Sequence, residues 1–189
     1  MAVRPPTPKK PVFKVSSCEC ADCRAACLNS PGWFQPAEVP RLARHLGLTV
    51  EETFRRYLAV GVTHTTDGSP RHGVMPHKLR DHKKPGGVWT LPELADPGRC
   101  IFFDHGKCTI YGVRPYECAR MIHGRENEAV KLRRTIVKNW TAEALAPFAK
   151  LTKTKLTGAP PPLGSRRPGT APARATGGRK PPAKPKGSA

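Results

Sequence analysis

Seven cysteines carry most of the chemistry this chain can do, and they fall into two groups: Cys18, Cys20, Cys23 and Cys27, then Cys100, Cys108 and Cys118. A single cysteine is most often a small, inert core residue. Four within ten residues cannot each be buried independently, so they converge on something. The separations of two and three between Cys20, Cys23 and Cys27 let a short segment turn several sulfurs toward one centre, as zinc or an iron–sulfur cluster requires. Soft thiolates favour zinc, iron–sulfur or monovalent copper and exclude magnesium and calcium. An odd cysteine count argues against a closed disulfide framework. In a reducing cytosol, where this protein is expected to reside, thiols stay available as ligands.

Histidine adds little to that donor set. His64, His72, His77 and His82 are spaced by eight, five and five, which matches no usual ligand pattern, and they read as solvated loop residues. His105, between Cys100 and Cys108, is the best histidine candidate. Arg114 and Tyr111 are placed to offset the negative charge of several thiolates, while also serving as an ordinary helix start and core residue. Trp33, Trp89 and Trp140 read as core anchors. No nucleotide fingerprint, Ser-His-Asp set or carboxylate pair accompanies the cysteines.

The elements that must position these residues are short. The N-terminal cysteines lie on a loop that runs into a helical turn. Val39, Leu42, Ala43 and Leu46 recur at helical spacing over residues 36–46, with Gly47 as the stop. Thr49-Val-Glu-Glu52 forms a capping box for a second helix expected to end near Gly61. Residues 62–98 show little periodicity and read as a long, partly ordered excursion, with a short strand over residues 87–91. The run from Cys100 through Asp104-His-Gly-Lys107 to Tyr111 reads as a hairpin with a cysteine on each arm. Pro115 then opens a helix over residues 116–122 that carries Cys118 near its start. Val130, Leu132, Ile136, Val137 and Trp140 mark a last helix from Glu128 to Leu151, kinked at Pro147. The hairpin and the helix after it bring Cys100, Cys108 and Cys118 to one end of a small α+β, mainly helical, single metal-binding domain.

The segment Cys100-Ile-Phe-Phe, followed by Cys108-Thr-Ile-Tyr-Gly-Val-Arg-Pro-Tyr-Glu-Cys118-Ala-Arg120, resembles the second half of the YkgJ-type cysteine-cluster family, the CxxCxxCC zinc- or iron-chelating domains. The family opens with CxxCxxCC. Here Cys20, Cys23 and Cys27 match its first, second and last cysteines, while Ala26 replaces the first of the final pair. The resemblance covers roughly residues 18–122. It implies a ligand set of Cys20, Cys23, Cys27, Cys100, Cys108 and Cys118 around zinc or iron, the latter including a [4Fe–4S] cluster. A related cluster occurs in flagellin lysine methylases, which keeps a redox or methyl-transfer enzyme among the alternatives.

Charge and proline content set the domain limits. Residues 1–15 and 151–189 hold 13 of the 33 Lys and Arg and no acidic residue, so they carry +13 of the net +19. Twelve of the 22 prolines lie there too. A disordered leader (1–15), a metal-binding domain (16–157) and a disordered basic tail (158–189) follow from this composition. No apolar stretch of export or membrane-spanning length follows the basic start. The tails suit nonspecific nucleic-acid binding by counterion release, so a nucleic-acid-associated protein with a structural zinc is the alternative from another class.

Overall fold

The computed structural model of the chain describes residues 21–120 and 126–160. Cys18, Cys20 and the expected end of the helix at Ile122 lie outside the described residues. The first helix, α1 (Ala21–Asn29), takes Cys23 and Cys27 at i and i+4 onto one face, where a loop with a single helical turn was expected.

The next two helices follow their sequence signals. In α2 (Glu38–Leu46), Val39, Leu42 and Ala43 are buried, and Gly47, at φ 68°, closes the helix with its N–H on the carbonyls of Ala43 and Arg44. In α3 (Val50–Tyr57), the Thr49 side chain accepts from the Glu52 N–H while the Glu52 carboxylate accepts from the Thr49 N–H, completing the capping box.

The second helix ends four residues earlier than expected, because the chain turns directly into β1 (Leu58–His64). That strand pairs antiparallel with β2 (Pro70–Pro76) in the register Leu58 to Pro76 and His64 to Pro70. Val60, Val62 and Thr63 are β-branched, and their long-range partner decides the conformation that local periodicity extended as helix. The supposed excursion over residues 62–98 is therefore largely ordered. Residues 87–89 lie along the free edge of β1: Val60 donates its N–H to Gly87 O, and Trp89 donates to Val60 O. A second capping box, Thr90 with Glu93, then starts α4 (Leu91–Ala95).

Gly61 and Gly73 face each other across the β1–β2 pair, and a Cβ on either would lie 2.7 or 2.8 Å from the Trp33 ring. Two bare backbones thus form the flat bed on which the indole of Trp33 rests. Phe34 donates its N–H to Val74 O on the outer edge of β2, and Trp140 donates its indole N–H to Phe34 O at 2.7 Å. Trp33, Trp89 and Trp140 are each 1% exposed, as core anchors should be.

A tight hairpin, β3 (Phe103–Asp104) with β4 (Lys107–Cys108), leads through a 3-10 turn at Tyr111–Val113 into α5 (Tyr116–Arg120). Cys108 is on the second arm as expected, whereas Cys100 lies three residues before the first. The final helix is two helices, α6 (Glu126–Val137) and α7 (Ala142–Thr152). The break falls where Trp140 turns into the core and Thr141 caps α7 by accepting from the Ala144 N–H; Pro147 sits inside α7. The chain stays packed through Ala159, which is buried and donates its N–H to Trp140 O, two residues beyond the expected end of the domain. Among the described residues no helix is long and apolar enough to cross a membrane.

Candidate metal centre

Backbone hydrogen bonds join the two cysteine groups. Cys100 donates its N–H to Cys27 O at 2.7 Å, and Gly98 donates to Asn29 O at 3.1 Å, so the C-terminal end of α1 lies against residues 98–100. On the other side, Leu79 donates to Arg99 O and Ile101 to His77 O, which pins Cys100 opposite Lys78. Lys78 is fully buried and donates its ammonium to the carbonyls of Leu94 and Asp96 at the end of α4, where a helix terminus welcomes a cation.

Cys23, Cys27, Cys100, Cys108 and Cys118 all line one cavity of about 190 Å³. Arg24, Tyr111 and Arg114 share its wall, with the Arg114 guanidinium 3.8 Å over the Tyr111 ring. Among the described residues no group of three or more His, Cys, Asp or Glu side chains stands ready to hold an ion. The sulfurs surround the cavity without closing on a point.

The chemistry of the wall suits thiolate ligands. The amides of Phe102 and Phe103 point at the Cys100 sulfur, the Ile110 amide at Cys108 and the Gly32 amide at Cys118, and each favours the thiolate. Donors aimed at sulfur are the supports that orient and tune metal-bound thiolates. Burial opposes them. It pushes the Cys100 thiol up to about 12, helped by the neighbouring Cys27 and Cys108, and holds Cys118 well above the ordinary thiol range, with Cys100, Glu117 and Cys27 adding to the effect. Cys108 is also raised by burial, against the pull of the Ile110 amide and the Arg114 charge. These thiols keep their protons until a cation replaces them. The donor set and its amides fit a soft metal or an iron–sulfur cluster.

Among the described residues no histidine lines this cavity. His105 is at the hairpin tip, its side chain 94% exposed and 3.6 Å from Asp104. His64 and His82 are exposed, but two of the supposed loop histidines are structural: His72 accepts from the Thr157 N–H through Nδ1, and His77 is 1% exposed against Trp89.

Sequence spacing gave no sign of Glu117 and Arg133. Glu117, 2% exposed beside Cys118, accepts the Trp33 N–H at 2.9 Å and the Arg133 guanidinium at 2.7 and 3.3 Å. The only available hint was a carboxylate next to a cysteine; its partner is sixteen residues away on another helix.

A family model for the CxxCxxCC domain, described as "Putative zinc- or iron-chelating domain", matches residues 19–135, more than half of the chain. The chain belongs to this family. No curated protein and no solved structure gives a match. Chelation of zinc or iron is thus the family's description, and cysteines line the cavity described above.

Proposed function

We propose that this CxxCxxCC protein holds zinc, or iron as an iron–sulfur cluster, with thiolates from both cysteine groups: Cys20, Cys23 and Cys27 from the first, and Cys100, Cys108 and Cys118 from the second. One observation carries the reading: the Cys100 N–H to Cys27 O bond ties the two groups together beside a cavity lined by five of these six cysteines. Four sulfurs complete a tetrahedral zinc site or a cubane cluster. Six exceed that need, which favours more than one metal atom. Arg24 and Arg114 offset the negative charge that such a thiolate set accumulates, and the bound metal supplies folding free energy to a small domain. The reading includes a cytoplasmic site of action, where reducing thiol pools keep cysteines available as ligands.

Anaerobic purification, elemental analysis and an absorption spectrum test it. Stoichiometric zinc in a colourless protein, or iron with a visible sulfur-to-iron charge-transfer band, supports the reading and separates its two forms. Protein that contains neither metal, and takes up neither when supplied with zinc or with iron and sulfide, overturns it.

A second reading rests on the segregation of +13 of the +19 charge into residues 1–15 and 151–189. These segments bind nucleic acid nonspecifically as an accessory to the metal domain, through phosphate contacts that weaken with salt.

A further inference from the structure

The Glu117–Arg133 pair poses an electrostatic problem. A carboxylate 2% exposed, directly beside a cysteine of the proposed centre, repels negative charge on that sulfur, and burying an ion pair gains little stability over apolar residues of similar volume. Its geometry suggests what it does. Trp33 and Glu117 are doubly joined: the Trp33 N–H donates to the carboxylate at 2.9 Å, and the Glu117 N–H donates to Trp33 O at 3.4 Å. Arg133 on α6 closes on the carboxylate at 2.7 Å, extends to Ser30 Oγ at 3.5 Å, and lies 5.2 Å over the Trp33 ring. Between Ser30 and Trp33 is Gly32. A Cβ there would lie 2.7 Å from the Cys118 sulfur, 2.8 Å from the Cys118 nitrogen and 2.9 Å from Glu117 Cβ. The 30–33 segment and the start of α5 therefore meet backbone to backbone, with the Cys118 sulfur held in the seam and Arg133 clamping both sides.

We infer that Glu117 and Arg133 are positioning residues: together they lock α5 to residues 30–33 and so fix the Cys118 sulfur, with Gly32 as the gap that admits it. The metal role of Cys118 rests on the reading proposed above; its placement by the clamp does not. Arg133 also neutralises the carboxylate, so its loss is worse than loss of the whole pair. An unpaired buried charge is left only in the first case.

The test uses the full chain with Arg133→Gln, Glu117→Gln, the double variant and Gly32→Ala, beside Phe148→Leu, which loosens the core at α7 away from the cysteines. Two quantities are read: iodoacetamide labelling of Cys118 in metal-free protein, by mass spectrometry of its peptide, and the thiolate-to-metal charge-transfer absorbance on titration with Co²⁺. The expected result for Arg133→Gln and Gly32→Ala is Cys118 labelling at least about tenfold faster than wild type and weakened Co²⁺ affinity, near the roughly 10- to 100-fold cost of losing an outer-shell partner. The double variant recovers part of both losses, and Phe148→Leu lowers the melting temperature with neither change. Labelling and Co²⁺ binding in Arg133→Gln that match Phe148→Leu overturn the inference. Wild-type protein that shows no charge-transfer band with Co²⁺ and takes up neither zinc nor iron with sulfide overturns the metal-centre reading alone, and the labelling then decides whether the clamp positions Cys118.

Discussion

At the scale of single residues, the cysteines differ in what surrounds their sulfurs, and that predicts how each tolerates substitution. Cys108 and Cys118 each line the cavity with a backbone amide directed at the sulfur. Serine in either place substitutes a hard hydroxyl that a soft metal binds poorly. We expect Cys108→Ser and Cys118→Ser to lower metal content and melting temperature together, with affinity falling by at least the roughly 10- to 100-fold that removal of a supporting partner costs. Cys18→Ser, outside the residues that match the family's cysteine pattern, should keep its metal. Elemental analysis of the three variants checks this, and equal loss in Cys18→Ser and Cys108→Ser would mean that the N-terminal ligands are misassigned. His77 makes a separate prediction. Burial, aided by the Lys83 charge, lowers its pKa from 6.5 to about 4 against an opposing backbone hydrogen bond at Lys83. The unfolded chain takes up that proton near 6.5 and the folded chain only near 4, so the stability His77 contributes is full above pH 6.5 and lost as pH falls to 4. The difference amounts to about 3 kcal/mol. Denaturant melts from pH 7 to 4 should show a steeper loss in wild type than in His77→Phe; parallel curves would refute a buried neutral imidazole.

At the scale of elements, the cysteine end of the domain is built on the β1–β2 pair. Trp33 links the two: its ring lies on Gly61 and Gly73, while its backbone is bonded to Glu117. Gly61→Ala or Gly73→Ala must push the indole aside, and overpacking of this kind costs about 1–3 kcal/mol. Both variants should melt several degrees lower, and a melting temperature within a degree of wild type would show that the ring shifts without penalty. This pair is also where sequence reasoning reached its limit. Local signals located α2, the Thr49–Glu52 box and the Cys108 arm of the hairpin, because each is decided within a few residues by caps, turns and helical spacing. β1 and β2 are decided by each other across a five-residue turn, and β2 contains Pro70, Gly73 and Pro76, which read locally as loop. The α6–α7 break escaped notice for the same reason: Trp140 turns inward to reach Phe34 O, 106 positions away. The candidate site was legible as a set of cysteines. Its clamp was not, since Ser30, Glu117 and Arg133 meet only in the fold.

At the scale of the whole molecule, the charge divides the chain more sharply than the sequence order does. Residues 161–189 hold seven Lys and Arg with no acidic residue, and the last described contacts before them are those of Gly158 and Ala159. Ala159 donates to Trp140 O, and a Cβ at Gly158 would lie 2.3 Å from the Ala142 nitrogen, so the chain is pressed against the start of α7. That packing sets where a truncation should be made. Ending the chain after Pro160 should leave metal content unchanged and the melting temperature within about two degrees, because residues 161–189 are mostly Pro, Lys, Arg and small residues, with Leu163 as the one large apolar side chain to bury. It should also weaken nonspecific binding to duplex DNA and lower the slope of log affinity against log salt, since each neutralised phosphate contributes about 0.9 to that slope. Ending the chain after Thr157 should instead cost stability, because the Ala159 hydrogen bond to Trp140 O is gone along with the close packing of Gly158 on Thr141 and Ala142. The two truncations, compared by thermal melt, elemental analysis and DNA binding at low and at physiological salt, separate packing from charge. A large loss of stability or metal in the Pro160 truncation would mean that residues 161–189 support the fold directly, and an unchanged salt slope would remove the tail from any nucleic-acid contact.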